Sequence, residues 1–152
     1  MSEIKVRHAT VAEASRIADF NRKMAMETEG LELHETTAMG GVVALMGHPE
    51  RGFYLVAEAD GALAGCLLVT HEWSDWRNKM FWWLGSFYVK PELRGRGVYA
   101  ALYAKVKELA AQDGNVCGCR IYVHKSHKPS QEVYRNNLGM AEKEYLVFED
   151  ML

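Results

Sequence analysis

The sequence predicts a single α/β domain, and three stretches carry that prediction. The ten residues from Met80 to Val89 are almost continuously apolar, as in a strand buried on both faces. Directly after them come Pro91, the turn Arg94-Gly95-Arg96-Gly97, and a run with Val98, Ala101, Leu102, Val106 and Leu109 at helical spacing. Upstream, two strand-like segments, Phe53 to Glu58 and Leu63 to Thr70, are joined by Ala59-Asp60-Gly61-Ala62, whose central Asp-Gly is a two-residue hairpin signal.

The remaining elements follow in chain order. Residues 4 to 8 alternate like a strand, and Thr10-x-x-Glu13 is a capping box that starts a helix. Ile17, Phe20, Asn21 and Met24 share one face of that helix, and Thr28 continues the stripe. Asn21 and Thr28 are polar where packing alone prefers apolar groups. Either they are satisfied under the helix, or this end of it lines a polar pocket with Glu27 on its flank and Glu29 just beyond. Thr36 or Thr37 can cap a second helix to about Gly47, weakened by Gly40 and Gly41 at about 1 kcal/mol each relative to alanine. After the hairpin, HEWSDWRNKMFWW reads as a connector that places Trp73 and Trp76 among charged and amide side chains. A subunit interface, which would make the chain a homodimer, a substrate wall and simple anchoring all account for the two indoles. Met80 to Val89 should be the central strand, with Gly85 marking a bulge. The long helix closes at Gly114-Asn115, and Cys117 to Val123 forms the next strand. A polar connector, His124 to Lys128, leads to a short helix that begins at Pro129 and carries Tyr134. Glu144 to Asp150 reads as a closing strand.

Composition narrows the function classes. With 152 residues, 49% hydrophobic and 25% charged, the chain suits one domain spanning 1–152. A net charge of -2 without a basic cluster gives no footprint for nucleic acid. No 18-residue apolar run and no signal-peptide core are present, so a cytoplasmic protein with no membrane partner is expected. Cys66, Cys117 and Cys119 are odd in number and set in apolar contexts, which favours free thiols over disulfides. No pair of histidines has metal-ligand spacing, and no metal is expected.

Gly95 and Gly97 before a helix crowd backbone amides around an anion, to which the helix dipole adds about half a positive charge. A Walker loop is absent. The dinucleotide fingerprint is formally met by Gly95, Gly97 and Ala100, but no acidic strand end follows about twenty residues later. Val89-x-Pro91-x-x-Arg94-Gly95-Arg96-Gly97, followed by an amphipathic helix, resembles instead the acetyl-CoA-binding motif Arg/Gln-x-x-Gly-x-Gly/Ala of the GCN5-related N-acetyltransferase (GNAT) family. The likeness runs from Ile4 to Leu138-Gly139-Met140, and the motif's final small residue is Tyr99 here.

That resemblance implies a mixed, mostly antiparallel sheet of six to seven strands flanked by about four helices, with splayed central strands. It implies acetyl-CoA as cofactor, its pantetheine arm along Phe87, Tyr88 and Val89 and its pyrophosphate on Arg94, Gly95, Arg96, Gly97, Val98, Tyr99 and Ala100. In the family's register His127 occupies an asparagine position, and Tyr134 stands where the general acid for the departing thiolate is found. An amine must lose a proton before it attacks, so Glu27, Glu29 and Glu72 are candidate bases. A backbone N–H near Phe87 can serve the carbonyl oxygen as its charge develops. Asn21, Glu27, Glu29, Glu72 and Trp76 are the expected contacts of a small polar amine. Acetylation of a protein lysine or N-terminus, and a non-catalytic acyl-CoA sensor, are the alternatives.

Overall fold

The computed structural model describes residues 3–152 and shows five strands in the order β1-β2-β3-β4-β5. Strand β1 (Ile4–His8) leads through a 3-10 turn into helix α1 (Ala14–Glu29). The Glu13 carboxylate takes the Thr10 N–H at 2.8 Å, the capping interaction expected there. Gly30, in the left-handed region at φ 62°, ends α1, with the amides of Gly30 and Leu31 returning to Met26 and Ala25. Helix α2 (Glu35–Met46) starts one or two residues before the predicted cap, with His34 rather than Thr36 or Thr37 at the N-cap.

Strands β2 (Gly52–Ala59) and β3 (Ala62–Ser74) form the predicted hairpin. Asp60 (φ 53°) and Gly61 (φ 76°) both sit at positive φ, which gives the twist that a two-residue hairpin needs. Strand β4 (Lys79–Val89) pairs antiparallel with β3 as far out as Ser74 and Lys79. The predicted connector is therefore mostly hairpin arm, and only Asp75 to Asn78 turn. Trp73 lies on β3 and Trp76 in the turn, the latter 88% exposed.

Helix α3 (Val98–Asp113) carries the chain back so that β5 (Val116–Ile121) runs parallel to β4. Two layers of side chains result. On one face Leu55, Leu67, Val69, Leu84, Phe87 and Val89 pack with Leu102 and Val106 of α3. On the other, Tyr54, Val56, Cys66 and Tyr88 pack with Ile17 and Phe20 of α1 and Val42 of α2. A short helix α4 (Lys128–Glu132) continues into a π-helical turn, Val133–Asn137, that holds Tyr134.

Two corrections concern the sheet. The bulge in β4 falls one residue later than Gly85: the β3–β4 register shifts across Ser86 and Phe87, and Ser86 takes φ 45°. The expected closing strand, Glu144 to Asp150, is not one, and the sheet has five strands rather than six to seven. A strand requires a hydrogen-bonding neighbour, and among the described residues this segment has none.

Candidate active site

The β4–β5 ladder stops at Leu84 and Ile121, so β4 from Gly85 onward has no neighbour on that side. A cavity of about 850 Å³ opens there. Leu84 to Val89 form one wall, Ile121 to His124 another, and the α3 N-terminus, α4 and the Tyr134 turn close it. The fold thus turns one interrupted ladder into a slot lined by unpaired strand backbone.

The turn before α3 supplies the anion end. Gly95 (φ 77°) and Gly97 (φ 86°) are left-handed, a backbone state that is readily available only to glycine. An added Cβ would meet no atom within 4 Å at either position, so their requirement is conformational rather than steric. Arg94 braces the turn: its Nε donates to the Val89 carbonyl at 2.9 Å, its Nη2 donates to Glu27 at 2.8 Å, and the guanidinium lies 5.4 Å from the Tyr88 ring centre. The motif's arginine is thereby tied to α1 and to the end of β4.

Three aromatic rings gather at the bulge. Phe87 stacks with Tyr134 (6.1 Å, 18°) and meets Tyr99 edge-on (4.9 Å, 65°). Burial pushes the Tyr134 hydroxyl up to about 12, with Tyr99 adding in the same direction and Ser130 opposing. Burial likewise raises Tyr99 above the ordinary tyrosine range, opposed by Arg94. Tyr99, the departure from the small-residue position, therefore fills space between the helix start and the bulge.

The cavity brings together most of the sequence-predicted residues: Glu27, Glu29, Phe87, Tyr88, Val89, Arg94, Gly95, Gly97, Val98, Tyr99, Ala100, His127 and Tyr134. Four do not line it. Arg96 is exposed at the turn, and Trp76 projects from the β3–β4 turn. Asn21 lies under α1, its Nδ2 donating to the Tyr54 hydroxyl at 3.3 Å. Glu72 accepts from Trp83 Nε1 at 3.1 Å and Arg120 at 3.3 Å, a partnership between three strands. Sequence reasoning missed Ser130, Val147 and Glu149 as lining residues. Thr28, polar on an apolar stripe, does line the slot, as one of its two sequence readings has it, but no local signal brings Val147 and Glu149 there.

A coenzyme A molecule suits these groups. The glycine turn and first-turn amides of α3 match a pyrophosphate, and unpaired β4 backbone matches an amide-rich arm. The buried Nδ1 of His127, without a hydrogen-bond partner among the described residues, awaits a polar group.

The acetyltransferase (GNAT) family model matches residues 17–140. No curated protein matches the chain. Among solved structures, a possible acetyltransferase from Clostridium difficile 630 is 35% identical over 98% of this chain and 97% of its own, with a TM-score of 0.89. An aminoglycoside N-acetyltransferase in complex with CoA shares the fold at 17% identity, covering 99% and 96% of the two chains with a TM-score of 0.75. A ribosomal-protein-alanine N-acetyltransferase from Brucella melitensis biovar Abortus 2308 does so at 14%, covering 100% and 99%, also with a TM-score of 0.75. With its splayed strands, glycine turn and family match over more than half its length, this chain is an enzyme of the acetyltransferase (GNAT) family.

Proposed function

We propose that this enzyme transfers an acetyl group from acetyl-CoA to the primary amine of a small polar molecule, by direct attack within a ternary complex. The observation that carries the reading is the single slot in which a glycine-turn anion cradle, a bulged strand, a buried tyrosine and a group of carboxylates all share one wall system.

The cofactor supplies the acetyl group as an activated thioester. Gly95, Gly97 and the amides of Val98 to Ala100 would hold its pyrophosphate, and the backbone of Gly85 to Val89 its arm, with His127 Nδ1 offering one further polar contact. Glu27, Glu29 and Glu149 make the acceptor side acidic, which favours a cation. Glu27 is committed to Arg94, whereas Glu29 and Glu149 have no ion-pair partner among the described residues. Glu29 is therefore the preferred base, taking the ammonium proton directly or through a water. Glu72, expected for this task from the sequence, is held by Trp83 and Arg120 outside the slot. A backbone N–H at the Ser86–Phe87 bulge donates to the carbonyl oxygen as negative charge builds on it, an effect worth about 3 kcal/mol in comparable sites. Tyr134 carries its proton at neutral pH, as a tyrosine ordinarily does and as burial reinforces, and its hydroxyl can hand that proton to the leaving sulfur.

Calorimetric titration with acetyl-CoA and with desulfo-CoA tests the cofactor. Micromolar binding of both is expected, and binding of neither would overturn the reading. A thiol-release assay over an amine panel then separates small amines from lysine peptides. Activity on peptides alone, or on no acceptor despite tight binding, would replace the small-amine assignment.

A further inference from the structure

The peptide between Ser86 and Phe87 is where β4 leaves regular pairing. On the β3 side the register passes from Gly85 opposite Leu68 to Tyr88 opposite Cys66, and on the β5 side it ends at Leu84, so neither Ser86 nor Phe87 has a register partner. Ser86 is held at φ 45°, a left-handed state that a residue other than glycine keeps only where its surroundings impose it. Two sets of buried side chains do so. From β3, Cys66 Sγ donates to the Ser86 carbonyl at 3.3 Å, and the same sulfur meets the Tyr88 backbone amide. From β2 and α1, the Tyr54 hydroxyl engages the Ser86 side chain while accepting from Asn21 Nδ2 at 3.3 Å. Cys66 and Tyr54 are both buried, so these bonds are made away from water, where each restrains its partner more strongly. Asn21 also leaves its Oδ1 buried without a hydrogen-bond partner among the described residues, a cost that an apolar side chain would avoid.

We propose that Cys66, with Tyr54 and Asn21 behind Ser86, forms a set of positioning residues that aims the Phe87 N–H at the carbonyl oxygen of the thioester. The inference rests on the assignment of that amide as the donor to the developing oxyanion. Its physical basis is the planarity of the peptide group: the Ser86 carbonyl and the Phe87 N–H belong to one trans unit and point in opposite directions. A carbonyl drawn toward Cys66 on β3 turns the N–H away from β3, to the side where β5 has parted and the slot opens. The Ser86 side chain, fixed by Tyr54, opposes rotation of the same peptide from its other end. Preorganised donors are effective because they need not reorient as charge builds, and a displacement of about 1 Å can cost about a hundredfold in rate. Cysteine and tyrosine thus act here as hydrogen-bonding groups within an otherwise apolar cluster that includes Ile17, Phe20 and Val56.

Isotope-edited infrared spectroscopy of acetyl-CoA labelled at the thioester carbonyl, bound to the full chain, reads the donor directly and needs no acceptor. In the parent the band should lie below that of free acetyl-CoA. Cys66→Ala and Tyr54→Phe, which loosen the peptide from opposite ends, should each move it back most of the way toward the free position, with acetyl-CoA affinity kept within about threefold. Turnover with the best acceptor of an amine panel should fall at least about tenfold in both, with little change in the KM for acetyl-CoA. Cys66→Ser restores a donor to the Ser86 carbonyl and should return the band close to its parent position. Ile17→Val, in the same buried cluster but without a polar group, should lower the unfolding temperature and leave the band in place. A bound parent with an unlowered band would overturn the assignment of the bulge amide and the proposal with it. A lowered band that persists in Cys66→Ala and Tyr54→Phe would overturn the proposal alone. So would an equal displacement in Ile17→Val, or a Cys66→Ser band no nearer the parent than that of Cys66→Ala.

Discussion

Removing one oxygen from Tyr134 separates its chemical role from its structural one, because phenylalanine keeps the stack on Phe87 and the cavity wall. Tyr134→Phe is expected to lower kcat about a hundredfold while leaving the KM for acetyl-CoA within about twofold. Unchanged kcat would remove this hydroxyl from the mechanism. With its pKa pushed up to about 12, Tyr134 should contribute no alkaline limb to the rate profile below about pH 11. Cys66 offers a second residue-scale check. It is fully buried, donates to the Ser86 carbonyl at 3.3 Å, and burial pushes its thiol up to about 12. A thiol reagent at pH 8 should therefore titrate Cys117 and Cys119 in the native protein and Cys66 only after unfolding. At this scale the sequence was informative about placement wherever spacing is local, and Gly95, Gly97 and Tyr134 all line the slot. It offered Glu72 as a candidate base with no sign of its partners Trp83 and Arg120, which arrive from two other strands, and it was silent for Glu149, which reaches the slot from far along the chain.

Among elements, the turn before α3 and the bulge in β4 meet at the slot, and glycines test each differently. At Gly97 the backbone alone is the constraint, so Gly97→Ala should strain the turn by about 1–2 kcal/mol without displacing any neighbour. The expected result is about tenfold weaker acetyl-CoA binding with the fold retained. At Gly65 the constraint is space: an added Cβ would collide with the Tyr88 carbonyl, one residue before Gly65's register partner Val89. Gly65→Ala should therefore push β3 from β4 at the bulge and lower the unfolding temperature, the reverse of the usual gain from replacing a glycine. Gly65 carried no warning in the sequence, since close approach between strands depends on a register that only the folded sheet defines. Long periodic elements were legible because burial of one face is written in their spacing. The outer hairpin arm, Glu72 to Ser74 against Lys79 to Phe81, was not, because it projects beyond the core and its polar residues lack the alternation of a half-buried strand. The C-terminal segment has strand composition without a strand partner, so composition overstated the sheet.

Across the whole molecule, the pH dependence of stability should be set by a few groups that clasp the sheet to its helices. Arg7 on β1 bonds the Glu13 carboxylate at 2.9 and 2.6 Å and Glu58 of β2 at 2.8 Å, joining two strands to the start of α1. Hydrogen bonding from Arg7, reinforced by the Thr10 amide, holds the Glu13 carboxyl at about 2, below its ordinary 4.5. Its folded pKa lies below the unfolded one, so the stabilisation is fully present above about pH 4.5 and is lost as pH falls toward 2. On the alkaline side the sign reverses. Cys66 and Tyr134 keep their protons in the folded state beyond their ordinary values of 9.0 and 10.0, so the unfolded chain sheds protons first and stability falls as pH rises through that range. Calorimetric unfolding from pH 2.5 to pH 10.5 should thus trace a plateau between about pH 5 and pH 8.5 with a decline on either side. Glu13→Gln should lower the plateau, since it removes a charged partner of Arg7, and flatten the acid decline because the group responsible for that slope no longer titrates. An acid decline of equal steepness in the variant would assign it to other carboxylates and leave the Arg7 cluster a local tether of α1 rather than a determinant of acid stability.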